Sequence, residues 1–191
     1  MPKLIGIKKI KIAVFISGKG SNFRNLIIHS LKKNSKFKIS LVISNRSKAK
    51  GLDYAKKYKI NKKVIDYLNN KNAEKTILNE LTKRKIDLIC LAGFMKILTN
   101  NFIKSFNGKI INIHPSLLPK YKGLNTHQRA IDNNEKFSGC TVHYVNSKLD
   151  SGKIILQKKV KIFNTDNSEK LAKRIHKQEH LLYPRALKKI L

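Results

Sequence analysis

The sequence contains no tryptophan and only two cysteines, Cys90 and Cys140, among its 191 residues. Two cysteines are too few for a disulfide framework or a cysteine metal cluster. Cys90 lies in the apolar run IDLICLA, which is typical of a small core residue. Near the N-terminus the longest uncharged apolar run, IAVFIS, has the length of a buried strand, not of a signal peptide or membrane span. We therefore expect a soluble, cytoplasmic protein with no membrane partner.

Acidic residues are also scarce, with 11 Asp and Glu against 42 Lys and Arg and a net charge of +31. Such an excess favours nucleic-acid binding through counterion release. However, the lysines are spread over nearly every segment, without aromatic interleaving, a zinc finger or an RNA-binding motif. Lysine, asparagine and isoleucine are abundant together, as an A/T-rich genome would produce. We interpret the charge as compositional drift that still favours anionic small substrates, with a basic RNA-binding protein as the alternative.

Short apolar runs alternate with helical patterns, which predicts an α/β fold with a doubly wound, mostly parallel sheet. A hydrophobic content of 41% is enough for one core, and we expect residues 1–191 to form a single domain. Ser47 is expected to cap the second helix and Pro184 to kink or end the last one. The last two strands are close enough to pair antiparallel. The predicted strands are 11–16, 39–43, 63–65, 86–91, 110–113, 141–145 and 153–160, and the predicted helices are 22–33, 47–58, 73–84, 124–132 and 166–182.

The loop SGKGSN follows the first strand and precedes a helix. Glycines allow close backbone approach, and a helix start presents free N–H groups, so the loop suits a phosphate. The loop matches neither the Walker pattern nor the full dinucleotide fingerprint. A tight turn capped by Ser21 or Asn22 is the structural alternative.

Asn112 and His114 follow another apolar strand and are two residues apart, so in an extended chain they project to the same side. Pro115 favours an extended conformation at His114. An amide and an imidazole at the carboxyl end of a strand could bracket a carbonyl oxygen and move a proton. The alternative is a loop histidine that faces solvent or caps a helix.

Two carboxylates are individually ambiguous. Asp150, in the turn Leu-Asp-Ser-Gly, is by itself best explained as a turn former, although a carboxylate folded back to His114 would raise the histidine pKa. Glu179 shares the apolar face of its helix with Leu171 and Ile175. A buried salt bridge is its default explanation, and a hydroxyl-rich ligand is the functional one.

Five segments closely resemble the phosphoribosylglycinamide formyltransferase family of folate-dependent enzymes. The similarity runs from about residue 11 to residue 184 in the family's order and spacing. This resemblance implies the formyltransferase fold and the transfer of a formyl group from 10-formyltetrahydrofolate to the amine of phosphoribosylglycinamide in purine biosynthesis, without a metal. The segments are SGKGSN, LAGFMKIL at 91–98, NIHPSLLPKYKGLNTHQRAI at 112–131, GCTVHYV with LDSGKIILQKKV between 139 and 160, and QEH.

The same resemblance implies roles for individual residues. Asn112, protonated His114 and Asp150 would be catalytic: the first two would stabilise the tetrahedral oxyanion, and Asp150 would keep His114 charged and help to relay protons. The substrate phosphate would lie on Gly20, Ser21 and Asn22, with Glu179 near the ribose. The folate would lie against Met95, Lys96, Ile97, Leu98 and Val145, next to Asn112.

Three positions depart from the family pattern. Lys96 stands where relatives commonly have arginine, and His176 where they often have glutamine. An arginine that many relatives use near the folate has no clear match at Asn70 or Lys71. Formyltetrahydrofolate deformylases share the catalytic set but usually have a further N-terminal domain and a different NIH block, so hydrolysis is the alternative enzymatic activity. We expect a monomer or a homodimer.

Overall fold

The computed structural model describes residues 9–67 and 72–191, so positions 70 and 71 lie outside the described residues. Within these ranges, seven strands form one sheet in the order β3-β2-β1-β4-β5-β6-β7. Strands β1 to β5 are parallel to one another, whereas β6 pairs antiparallel with β5, and β7 antiparallel with β6. The predicted mostly parallel sheet with late antiparallel strands is confirmed. The strands are β1 (Ile10–Ile16), β2 (Phe37–Ser44), β3 (Lys62–Val64), β4 (Leu88–Leu91), β5 (Lys109–His114), β6 (Phe137–Tyr144) and β7 (Ile154–Lys161).

Helices cover both faces of the sheet. Alternate residues of β1 point to opposite faces and pack against different helices. Ile12 and Val14 belong to one buried cluster, which includes residues of α1 and α6, while Ala13 and Phe15 belong to another, which includes residues of α3 and α4. The sheet is therefore doubly wound. The helices are α1 (Ser21–Ser30), α2 (Gly51–Lys57), α3 (Ala73–Lys83), α4 (Asn100–Ser105), α5 (Thr126–Asp132) and α6 (Ser168–Ile190).

The strand order reverses beside β1, which has β2 on one side and β4 on the other. In open α/β sheets a crevice forms outside the carboxyl ends of the strands at such a point. The crevice here is bounded by the loop after β1 and the loop after β4, which are joined because Ser17 N donates to Gly93 O at 3.0 Å. The fold thus sets the position of the site.

The predicted start of α2 is wrong, and of the two alternatives at Pro184, a kink or the end of the last helix, the end is contradicted. Ser47 does not cap α2, which begins at Gly51, whose N–H donates to Gly18 O at 3.0 Å. A Cβ on Gly20 would lie 2.5 Å from Gly51 Cα, so close contact between the β1 loop and α2 determines where α2 begins. Pro184 does not end α6, which continues to Ile190. Proline leaves the carbonyl four residues earlier without its helical donor, and Asn25 Nδ2 donates to that oxygen, His180 O, at 2.6 Å.

Helix α4 has no counterpart among the predicted helices. Thr99 caps it, accepting a hydrogen bond from Phe102 N at 3.1 Å, and Phe102 is buried against the sheet. Cys90 and Cys140 are buried free thiols, and Cys90 lies in the core as predicted. None of the helices within residues 9–67 and 72–191 combines the length and apolarity that crossing a bilayer requires.

Candidate active site

Asn112, His114 and Asp150 meet at the carboxyl end of β5. Asp150 Oδ2 lies 3.3 Å from His114 Nδ1, and Asp150 Oδ1 lies 3.5 Å from Asn112 Nδ2. The side chains of His114 and Asp150 are only 7% and 8% exposed. Two residues of one strand thus face a single carboxylate from a distant turn, as an extended chain with period two requires.

Asp150 is both a turn residue and a partner of His114. Its φ of 45° lies in the left-handed region, which Asp tolerates better than most residues. Gly123 N donates to Asp150 Oδ2 at 2.9 Å and fixes the carboxylate. A Cβ on Gly152 would lie 1.7 Å from Tyr144 O, so only glycine lets the turn close this tightly on β6. The turn and functional interpretations, which the sequence sets apart, therefore share one conformation.

His143 is a fourth member of the cluster, and the sequence reasoning did not identify it. It pairs directly across from Asn112 in the antiparallel β5–β6 register. Its Nδ1 donates to Tyr144 O at 2.8 Å, which leaves Nε2 as an acceptor 3.2 Å from Asn112 Nδ2. Nε2 is also 3.6 Å from Asp150 Oδ1. The sequence feature that indicates His143 is its place in the alternating strand pattern of GCTVHYV, where it follows the buried Val142. In the sheet this strand lies beside the strand that carries Asn112 and His114.

The protonation of His114 reflects opposing effects. Burial lowers the pKa of the imidazole, while the hydrogen bond to Tyr121 O and the charge of Asp150 act to raise it. Asp150 therefore acts in the predicted direction, but burial has the larger effect and the pKa of His114 lies below its ordinary value. Its Nε2–H donates to Tyr121 O at 2.9 Å, so Nδ1 is free to take up a proton. Burial acts to raise the pKa of Asp150, but its contacts with His143, Gly123 N and His114 together lower it.

A cavity of about 940 Å³ opens beside this cluster. Its volume lies at the upper end of the range for small-molecule sites. The loop after β4 forms one wall, where Ser17 Oγ accepts a hydrogen bond from Met95 N at 2.7 Å and donates to Asn45 Oδ1 at 2.5 Å. Met95 and Ile97 are more than half exposed, whereas Leu98 is buried. The sequence-predicted folate residues all line this cavity: Met95, Lys96, Ile97, Leu98, Asn112 and Val145.

The first turn of α1 meets α6 at the other side of the cavity. The N-cap position is Gly20 in a left-handed conformation, and no side chain caps the helix, so the alternative of a Ser21 or Asn22 cap is wrong. Both side chains turn instead to α6: Ser21 Oγ lies 2.6 Å from His176 Nε2, and Asn22 Nδ2 donates to Glu179 Oε2 at 2.8 Å. Asn22 and Glu179 line the cavity, whereas Gly20 and Ser21 are not among its lining residues.

Glu179 is buried without a counter-charge. Within the described part of the chain it forms no ion pair, so the default salt-bridge explanation is wrong. Burial raises the pKa of its carboxyl group to about 7, and the Asn22 hydrogen bond acts in the opposite direction. Asn22 Oδ1 is itself buried with no hydrogen-bond partner in the described structure. Such unsatisfied groups at a cavity wall are suited to a polar ligand.

Comparisons with known proteins agree on one family. A profile of the family described as Formyl transferase matches residues 10–187. A phosphoribosylglycinamide formyltransferase of Haemophilus influenzae is 46% identical over 181 residues, which are 93% of this chain and 85% of that protein. The crystal structure of phosphoribosylglycinamide formyltransferase from Brucella melitensis is 42% identical, with a TM-score of 0.91 and 96% of each chain covered.

Longer proteins also match over most of this chain. The trifunctional purine biosynthetic protein adenosine-3 of Chironomus tentans is 43% identical over 191 residues, and that of Homo sapiens is 43% identical over 183. The chain spans only 14% and 18% of their lengths. The similarity to those two proteins is therefore to one part of each.

Proposed function

Because the chain belongs to the formyl transferase family, we propose that it transfers the formyl group of 10-formyltetrahydrofolate to the amine of phosphoribosylglycinamide. The observation that carries this proposal is the convergence of Asn112, His114 and Asp150 at one wall of a 940 Å³ cavity. Relatives of similar length bear the corresponding enzyme name. The reaction is a step of purine biosynthesis, and we infer a cytoplasmic location.

In the proposed reaction, the substrate amine attacks the formyl carbon and the carbonyl oxygen becomes an oxyanion. Asn112 Nδ2 donates to that oxyanion in place of its long 3.5 Å contact with Asp150 Oδ1. Its contact with His143 Nε2 holds the amide in position. The bond between the formyl carbon and the folate nitrogen then breaks, and the new bond between the formyl carbon and the substrate nitrogen remains. A buried amide donor of this kind contributes about 3 kcal/mol to transition-state stabilisation.

His114 moves the proton in this scheme. Its neutral Nδ1 takes the proton released by the attacking amine and returns it to the departing folate nitrogen. The imidazolium formed in between has an acceptor at each nitrogen, Tyr121 O at 2.9 Å and Asp150 Oδ2 at 3.3 Å. Asp150 thus stabilises the charged form only when the reaction creates it.

The two substrates are proposed to bind on opposite walls. The folate lies along Met95, Lys96, Ile97, Leu98 and Val145, where the wall is largely apolar. The substrate phosphate lies at the uncapped start of α1, formed by Gly20, Ser21 and Asn22, where helix N–H groups and the dipole favour an anion. Glu179 accepts hydrogen bonds from ribose hydroxyls.

The proposal is tested by following 10-formyltetrahydrofolate turnover with and without phosphoribosylglycinamide. Amine-dependent product supports the transferase, whereas amine-independent release of formate identifies a deformylase instead. We expect His114→Ala to lower kcat by about 10²- to 10⁴-fold, because it removes the acid–base group. His29→Ala, on α1 and outside the cavity lining, is the matched control and should be unchanged. A near-normal rate for His114→Ala would contradict the assigned role.

A further inference from the structure

The loop 121–125 holds two of the catalytic side chains through its backbone. Tyr121 O accepts the hydrogen bond from His114 Nε2 at 2.9 Å, and Gly123 N donates to Asp150 Oδ2 at 2.9 Å. Because both contacts come from backbone atoms, they depend directly on the conformation of the loop. The alignment of His114 with Asp150 therefore depends on how firmly this loop is held.

The conformation of this loop is unfavourable by itself. Tyr121 and Asn125 each have a φ of 56°, in the left-handed region that disfavours most residues other than glycine, and Gly123 between them has a φ of 77°. Residues in such conformations persist only where the surrounding structure holds them there. The contacts that hold the loop are therefore needed for the geometry of the catalytic site.

Arg129, on α5, supplies several of these contacts. Its Nη1 donates to Lys122 O at 2.7 Å and to Leu124 O at 3.3 Å. Its guanidinium carbon lies 5.3 Å from the ring centroid of Tyr121, within the range of a cation–π contact. The hydroxyl of the same ring donates to Glu135 Oε1 at 2.9 Å. One arginine side chain thus contacts three of the five loop residues.

Arg129 acts on the site from outside it. Its side chain is exposed, and it is not one of the lining residues of the catalytic cavity that the structure describes. Burial has the largest effect in lowering the pKa of His114, and the charge of Arg129 adds a small effect in the same direction. The guanidinium donates two hydrogen bonds in fixed directions while it lies against a ring, and a lysine ammonium does not reproduce this combination. Replacement by lysine therefore separates the contacts of Arg129 from its charge.

We propose that Arg129 is a positioning residue for catalysis, because it holds the loop 121–125 in the conformation that keeps His114 and Asp150 aligned. This inference rests on the proposed function, in which the aligned pair moves the proton during formyl transfer. Neither substrate is proposed to lie against Arg129. Its loss therefore acts on kcat and leaves the binding of both substrates nearly unchanged.

Steady-state kinetics of Arg129→Ala and Arg129→Lys tests the proposal, with Arg185→Ala as the control that removes an exposed arginine of α6 outside the cavity lining. We expect Arg129→Ala to lower kcat about 10- to 100-fold and to change either KM less than about twofold, because small displacements of catalytic groups have effects of that size. Arg129→Lys keeps the charge and should still lower kcat about tenfold. A normal kcat for either Arg129 variant, or an equal loss in Arg185→Ala, would overturn the proposal.

The protein without substrate gives a second readout, which does not depend on activity. The Nε2–H of His114, held by Tyr121 O, should give a slowly exchanging imidazole proton signal in NMR spectra of the full chain, identified by its loss in His114→Ala. This signal should broaden or disappear in both Arg129 variants and persist in Arg185→Ala, and an unchanged signal in Arg129→Ala would overturn the proposal. A wild-type chain that transfers no formyl group would instead refute the proposed function, while the His114 signal would still show whether Arg129 holds the loop.

Discussion

Glu179→Gln should make the protein more stable above neutral pH, although it changes only one buried atom. The carboxyl group has a pKa of about 7 in the folded chain, against an ordinary value of 4.5. A carboxyl group with a raised pKa contributes its stability fully below the unfolded-state value. That contribution is lost as the pH rises from 4.5 through 7, because the folded state then has to hold a buried charge.

The size of the effect follows from the same shift. Each pKa unit corresponds to about 1.4 kcal/mol, so the wild-type chain loses up to about 3 kcal/mol between pH 4.5 and pH 8. Gln cannot ionise, and its carbonyl oxygen can still accept the hydrogen from Asn22 Nδ2. The difference in unfolding free energy between variant and wild type should therefore grow with pH by that amount.

Urea unfolding at pH 5 and at pH 8 measures this difference directly. Comparing the two pH values cancels any packing change that is independent of ionisation. Glu80→Gln is the matched control, because Lys63 and Arg84 lower the pKa of Glu80 below its ordinary value of 4.5. Its carboxyl group is therefore ionised at both pH values, and the difference for that variant should change little between pH 5 and pH 8. A pH-independent difference for Glu179→Gln would refute the view that this carboxyl group is buried without compensation.

Two further variants test the site geometry. His143→Ala should lower kcat about 10- to 100-fold with a small change in KM, because Asn112 Nδ2 loses its acceptor and its orientation. Steady-state kinetics, with His29→Ala measured as the control, checks this. A rise in KM with no change in kcat would contradict it. Gly152→Ala should lower the unfolding free energy by about 2 kcal/mol or more, since its Cβ would meet Tyr144 O. Gly18→Ala, where a Cβ has open space, is the control in the same urea measurement, and equal losses would contradict the stated cause.

The strand pattern and the sheet type could be predicted from the sequence because buried parallel strands appear as short apolar runs. All seven predicted strands overlap observed ones. Helix boundaries were harder, since they depend on contacts distant in sequence. Ser47 is a favourable cap locally, but the Gly18–Gly51 hydrogen bond sets the start of α2. Pro184 is a local helix breaker whose effect is offset by Asn25.

The site shows the same division between local and distant information. The pair Asn112 and His114 could be found from spacing alone, because both lie on one strand. Asp150 and His143 come near them only through the antiparallel extension of the sheet and the left-handed turn at Asp150. Periodicity does not encode those distances. The family resemblance supplied Asp150, whereas His143 required the β5–β6 register.

A bound ligand that donates hydrogen bonds to Glu179 would offset the free-energy cost of burying its carboxyl group, and this can be tested. Hydroxyl groups that donate to Glu179 stabilise its ionised form, so bound phosphoribosylglycinamide should lower the carboxyl pKa from about 7. Substrate affinity should therefore increase as the pH rises through 7, and this linkage should disappear in Glu179→Gln. Isothermal titration at pH 6 and pH 8, in two buffers of different ionisation enthalpy, measures both the affinity and the proton released. If the wild type and Glu179→Gln release equal numbers of protons, Glu179 is not the ribose contact, and its raised pKa has a purely structural origin.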